Sequence, residues 1–311
     1  MQSRVNDLAT AFFSADLYPR TRQATGAAGA KAAELALQIN ALPMMAIGCT
    51  FAAVFTTMVQ DYLGLKADSV IGFSMGETSA MWYGQGIWDA HLAEEKFIQA
   101  PLFREKVGGD MSLLAEVWNL PPETAKSRWA ARLITAPAGV SGYASLADWF
   151  RQAVAPGADK IFLTFIHTDK EIVVSGDATE IERLLQQHPF QNIPLALNNV
   201  VHHTFCRQLE SEFLAMHRLP IEQQPDKQFY SSISLAPLPV DSENLAQNAT
   251  EVCCREVDFP CLVRKMADEG HRIFVELGAN ATCSRWITDI LAAQEHLAIP
   301  TDRKGAGALR N

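Results

Sequence analysis

The chain has 311 residues, 48% of them hydrophobic and 20% charged, enough to bury one large core or two smaller ones. Its net charge of −9 argues against a general nucleic-acid or anionic-membrane surface. No apolar run reaches the length of a membrane span, the first residues lack a signal peptide's basic and apolar regions, and the six cysteines show no CxxC spacing. Reduced thiols, most of them buried, in a cytoplasmic protein are therefore expected, with neither a zinc site nor a disulfide framework.

In chain order, helices and strands alternate. Residues 27–40 read as an alanine-rich helix and residues 50–63 as a buried one, with Thr50 as its cap. Residues 67–73 read as a short buried strand. Ser74 then opens a second buried helix to about Tyr83, ended by Gly84 and Gly86. Asp89 is placed to cap the next helix, which Pro101 follows.

Further along, Met111 to Trp118 reads as a strand, Pro121-Pro122-Glu123 opens a helix, and Ser145 to Ala153 forms another. Lys160 to Thr168 and Glu171 to Ser175 read as a hairpin turning at Asp169-Lys170. A helix over Asp177 to Gln187, capped by Asp177 or Thr179, and a strand over Ile193 to Leu197 complete a split β-α-β pattern. An inserted ferredoxin-like small subdomain is expected at about 109–197. Residues 1–108 and 198–300 then form a discontinuous large subdomain, and 301–311 a tail. Pro260 to Gly270 reads as a helix, Arg272 to Leu277 as a buried strand and Ser284 to His296 as a helix.

Chemistry concentrates at Gly72-Phe73-Ser74-Met75-Gly76-Glu77. A glycine-x-serine-x-glycine element between a strand and a helix is the context of a nucleophile elbow, with the serine on a sharp turn and free N–H groups of the helix aimed at it. Gly72 and Gly76 keep side chains away from the crossing backbones. Glu77 is either a solvated helix residue or the anchor of a neighbouring loop. A serine nucleophile needs a base, and His202 and His203 lie together in a turn-like stretch. On sequence alone each reads first as a surface or interface histidine and second as the base. No acidic signature marks a partner for the base, and a backbone carbonyl would serve. Arg104 reads as a surface residue or as a site for an anionic substrate.

Beyond spacing, the chain resembles the malonyl-CoA:acyl carrier protein transacylase family, which includes the acyltransferase domains of fatty acid and polyketide synthases. The matching segments run in family order: GFSMGE, preceded by Asp68-Ser69-Val70-Ile71; Val174-Ser175-Gly176-Asp177; Val201-His202-His203-Thr204; Val257-Asp258-Phe259; and Phe274-Val275-Glu276-Leu277-Gly278. A finer match is to the acyltransferase region of PfaB-type polyunsaturated fatty acid synthase subunits. It rests on GFSMGE, on Pro101-Leu102-Phe103 and on the segment from Glu276 to Trp286.

The resemblance implies an α/β fold, with an α/β-hydrolase-like large subdomain on a parallel sheet. It implies Ser74 as nucleophile, His203 as base, Asp258 in the loop that orients the base, and Met75 N–H as an oxyanion donor. Gln99 and Arg104 then fall at the substrate. The family opens with a glutamine-glycine loop that gives a second oxyanion donor. None precedes Ser74, which implies that the chain starts inside a longer protein or that another chain supplies the loop. Gln99, 25 residues after Ser74, stands where the family carries the arginine that pairs a malonyl carboxylate. The implied activity is acyl transfer from acyl-CoA to the phosphopantetheine of an acyl carrier protein, among other synthase subunits and with no bound cofactor. An α/β-hydrolase esterase and a catalytically weak docking module are the alternatives.

Overall fold

The computed structural model describes residues 41–80, 85–136, 143–154, 159–188, 190–278 and 280–303. The expected helix at 27–40 and most of the tail lie outside them. The first described element is the helix Ala41–Thr56, continued by a π-helical turn over Thr57–Tyr62. Thr50 is thus inside a helix rather than at its start, and the helix is only half-buried: Phe51 is 42% and Met58 48% exposed.

Strand β1, Ser69–Val70, leads into the elbow and pairs in parallel with β6, Gln228–Phe229. It is shorter than the run over 67–73 suggested. The helix Met75–Ser79 follows Ser74. The next helix is Ala90–Gln99, and the Asp89 side chain caps it through Leu92 N–H at 2.7 Å.

Met111 to Trp118 departs from expectation. Ser112–Trp118 is a helix, followed by Pro122–Arg128. Leucine, alanine and glutamate favour that state, and a helix buries Leu113, Leu114 and Ala115 together. The first strand of the split pattern is instead β2, Trp129–Thr135. After the helix Leu146–Ala153 come β3, Ile161–Thr168, β4, Glu171–Asp177, the helix Ala178–Gln187 capped by Asp177, and β5, Gln191–Leu195.

These strands form an antiparallel sheet in the order β5-β2-β4-β3, the order of a ferredoxin-like unit. β7, Val257–Asp258, extends the sheet by pairing in parallel with β3. Gly176 is required where β4 passes β3: its φ is +143°, and a Cβ there would lie 2.1 Å from the Lys160 carbonyl oxygen.

Packing divides the described residues into three apolar cores. One is built on Trp88, Phe103, Leu113, Leu114 and Phe213, and it includes the helices at 112–128. The second, around Ile134, Trp149, Ile172 and Ile181, fills the ferredoxin-like unit. Packing therefore moves the start of the small unit from 109 to about 129. The third core joins Phe259, Leu262, Phe274 and Trp286 behind the elbow. It lies under β8, Ile273–Glu276, and β9, Leu297–Pro300, a parallel pair. The helix between them is Thr282–Ile290, shorter than read from sequence because the chain turns back into β9.

Two regions are clasped across the hairpin turn. Glu171, buried at the start of β4, accepts both guanidinium nitrogens of Arg285 at 3.0 and 2.9 Å and Trp286 Nε1 at 2.6 Å. Its burial favours the neutral acid, but hydrogen bonds from His167, Arg285 and Trp286 prevail and hold the carboxyl down at about 2. None of the described helices is long and apolar enough to cross a membrane.

Candidate active site

Ser74 occupies a backbone conformation that few residues adopt, φ 55° and ψ −121°. Two hydrogen bonds tighten the turn around it, Gly76 N–H to Phe73 O at 2.8 Å and Glu77 N–H to Ser74 O at 3.1 Å. Gly72 is dictated by this turn, since a Cβ would sit 2.1 Å from Glu77 N. Gly76 has open space instead, so only one of the two glycines relieves a backbone crossing. Met75 begins the helix, and its N–H belongs to the first turn, where no helical carbonyl precedes it.

The side chain that meets Ser74 is His202. Its Nε2 lies 2.7 Å from Ser74 Oγ, although the two residues are 128 apart in sequence. Its Nδ1 lies 2.7 Å from the Val252 carbonyl oxygen, and its backbone N–H donates to Cys253 O at 2.7 Å. A carbonyl only accepts, so Nδ1 carries the proton. Nε2 of the neutral ring then offers a lone pair to the Ser74 hydroxyl. Val252 and Cys253 end the helix Ser242–Cys253, where carbonyls lack helical partners and the dipole is negative. That end favours an imidazolium formed in passing. At rest, burial drives the His202 ring down to about 4, against the hydrogen bond to Val252, so the ring is neutral at pH 7.

His203, the expected base, is turned away. Its ring packs among Trp129, Phe162 and Phe205, with centroids 5.5, 4.9 and 5.1 Å away, and its Nε2 lies 3.2 Å from Ser175 Oγ. Burial, followed by the neighbouring His202, lowers it to about 3. Strict alternation of faces fails here because His202 has φ +70°. Ser175, in the Val174-Ser175-Gly176 motif, thus serves the small unit's contact with His203.

The Asp258 side chain is engaged as a helix cap. Its Oδ1 accepts Cys261 N–H at 3.0 Å and caps the helix Phe259–Asp268, while the Val252 carbonyl takes the orienting position. Arg104 is not brought to Ser74 as a buried cation. It is exposed and pairs with Glu105 at 2.6 Å. Gln99 is the last residue of the helix Ala90–Gln99. Glu77 is the loop anchor of the two readings, buried and accepting Ser232 N–H at 2.9 Å.

Sequence reasoning missed one wall of the site. The Phe165 ring on β3 stands 4.9 Å from the His202 ring and 5.3 Å from Phe73. Phe73 also packs edge-on to Phe259 and Trp286. Among the described residues, no group of three or more histidine, cysteine or acidic side chains is placed to hold a metal ion.

No protein-family model matches the chain. It is 23% identical over 286 residues to a polyunsaturated fatty acid synthase subunit of Thraustochytrium sp., a match covering 86% of this chain and 13% of that protein. The chain therefore spans a small part of that relative. Among solved structures, the acyltransferase domain from module 8 of the salinomycin polyketide synthase superposes with a TM-score of 0.72 at 17% identity, covering 99% of this chain and 66% of that one. Malonyl-CoA:acyl carrier protein transacylase from Helicobacter pylori gives 0.67 at 13% identity, covering 97% and 85%. In fold, the chain is similar to the acyltransferase domains of the malonyl-CoA:acyl carrier protein transacylase type.

Proposed function

We propose that this chain is an acyltransferase domain that moves an acyl group from a CoA thioester, through Ser74, to the phosphopantetheine thiol of an acyl carrier protein. The setting would be a synthase making polyunsaturated fatty acids or polyketide-type chains, with its other subunits as partners. The observation that carries the reading is the 2.7 Å contact between Ser74 Oγ and His202 Nε2 at a strained elbow. His202, rather than His203, is the base in this reading.

In the first half-reaction His202 Nε2 takes the Ser74 proton as Oγ attacks the thioester carbonyl. The Val252 carbonyl holds the ring and stabilises the imidazolium. Met75 N–H donates to the oxyanion, one preorganised donor being worth about 10²–10³ in rate. Collapse of the tetrahedral species breaks the C–S bond, and His202 returns the proton to the CoA sulfur. The carrier thiol repeats the sequence in reverse roles and leaves with the acyl group.

Arg104 is held at the surface by Glu105, and Gln99 stands where the family has arginine. A malonyl carboxylate would then enter without a charged fork to pair it. Intact-mass measurement after mixing with acyl-CoA tests the reading. An acyl adduct on Ser74 is expected, at least as much from uncharged acyl-CoA as from malonyl-CoA. Free acid without an adduct would mark an esterase, and no reaction a docking module. Strong malonyl preference lost on Arg104→Ala would return Arg104 to the site.

The reading also fixes a pH dependence. The base works when Nε2 is unprotonated, so loading should hold steady down to about pH 5 and fall through about pH 4, well below the ordinary histidine value of 6.5. The folded rings of His202 and His203 are depressed, so the unfolded chain binds more protons below 6.5. Their contribution to stability is full above 6.5 and is lost as the pH falls through about 4 for His202 and about 3 for His203. An acid limb near 6.5 in stopped-flow loading would contradict this.

A further inference from the structure

Three residues beyond Ser74 a carboxylate is buried without a cation. Glu77 is 4% exposed, and among the described residues no charged group acts on it. Its Oε1 accepts Ser232 N–H at 2.9 Å and its Oε2 accepts Asn248 Nδ2 at 2.6 Å. The donors and acceptors around Asn248 can be assigned from their contacts. Ser231 Oγ accepts Ile233 N–H at 3.0 Å and Ser234 N–H at 3.1 Å, so its own proton goes to Asn248 Oδ1. That assigns the Asn248 amide, leaving its Nδ2 to donate to Glu77. Ser232 N–H donates by nature. Both oxygens of Glu77 therefore accept; these hydrogen bonds favour the carboxylate, while burial, the larger effect, raises the group above the ordinary carboxylate range.

The two ends of this link are the two halves of the site. Glu77 lies on the helix that begins at the elbow. Asn248 lies on the helix Ser242–Cys253, one turn before Val252, whose carbonyl holds His202 Nδ1. We propose that Glu77 is a positioning residue: the Glu77–Asn248 link sets the register of the elbow against the helix that orients His202, and so fixes the Ser74–His202 contact. The inference rests on reading Ser74 and His202 as the reacting pair. A buried acidic group held only by neutral donors is a costly way to join two helices, and such groups are best attested where they specify register.

The donor pattern supplies its own test, by swapping acceptor and donor. Glu77→Gln sets an amide N–H₂ against Ser232 N–H or the Asn248 amide. Asn248→Asp sets two carboxylates against each other. In the double variant, the new amide at position 77 donates to the new carboxylate at 248. That carboxylate still accepts from Ser231 Oγ, and the carbonyl at 77 still accepts Ser232 N–H. The readout is the rate at which a fluorophosphonate labels Ser74, which needs neither acyl-CoA nor a carrier. It is measured alongside kcat and KM for acyl loading and the melting temperature.

Each single variant should label at least about tenfold more slowly, because a small misplacement of reacting groups costs up to about 10² in rate. KM should hold while kcat falls, and the double variant should recover most of the rate. Folded single variants that label at the wild-type rate would overturn the proposal. So would a double variant that stays slow or unfolds. If a single variant unfolds, a folded and reactive double variant supports the link. Wild-type protein that labels but loads no acyl group would defeat the acyl-transfer reading alone. Wild-type protein that does not label would remove both.

Discussion

Ser74→Ala is expected to abolish covalent loading while leaving the fold in place. Loss of a serine nucleophile costs as much as about 10⁶ in kcat where it has been measured. Among the described residues the hydroxyl hydrogen-bonds one side chain, His202, and its removal takes away a single atom. The turn is held by the backbone, through Gly76 N–H and Glu77 N–H and through the close approach at Gly72. Intact-mass measurement and circular dichroism on the same sample check both halves. An alanine variant that still carries an acyl adduct would place the nucleophile elsewhere.

The second large effect separates two adjacent histidines. His202→Ala should lower the loading rate by about 10²–10⁴, the worth of a positioned general base. His203→Ala should leave the rate near that of the wild type below its melting temperature. It should instead destabilise the chain by about 3 kcal/mol, as for removal of a buried ring. The ring leaves a hole between Trp129, Phe162 and Phe205 and strips Ser175 Oγ of a partner. Paired measurements of loading rate and melting temperature give the two variants opposite signatures. The reverse pattern would mean that His203 turns to the elbow in the working enzyme.

These two residues also show where the sequence was legible and where it was not. The elbow was readable because its demands are local: Gly72 is forced by a backbone crossing within five residues. The caps Asp89 and Asp177 and the turn at Asp169-Lys170 were readable for the same reason. The choice between His202 and His203 was not local. The family motif placed the base at His203, and alternation would have sent neighbouring side chains to opposite faces, but a positive φ at His202 breaks the regular run. The orienting group is a main-chain carbonyl at Val252, which leaves no mark in the side-chain sequence. A helix predicted to end at 253 could have pointed to it, since the last carbonyls of a helix seek partners. β2 escaped notice because it carries alanines and Arg132, whereas Met111 to Trp118 offers the apolar run of a buried strand. Phe165 had no signal, for its role is defined by a neighbour 37 positions away.

Ser74 and His202 share one more property: both have positive φ, 55° and 70°. Each such residue costs about 1–3 kcal/mol that glycine would largely be spared. Selection for a durable fold alone would favour glycine at Ser74, whereas the buried His202 ring offsets its strain by packing on Phe165 and bonding the Val252 carbonyl. The presence of serine at the elbow is thus a measure of what this chain gives up in robustness to keep two atoms 2.7 Å apart. A laboratory search for heat-resistant variants without a demand for turnover should drift toward inactive proteins, and Ser74 is where that drift would begin.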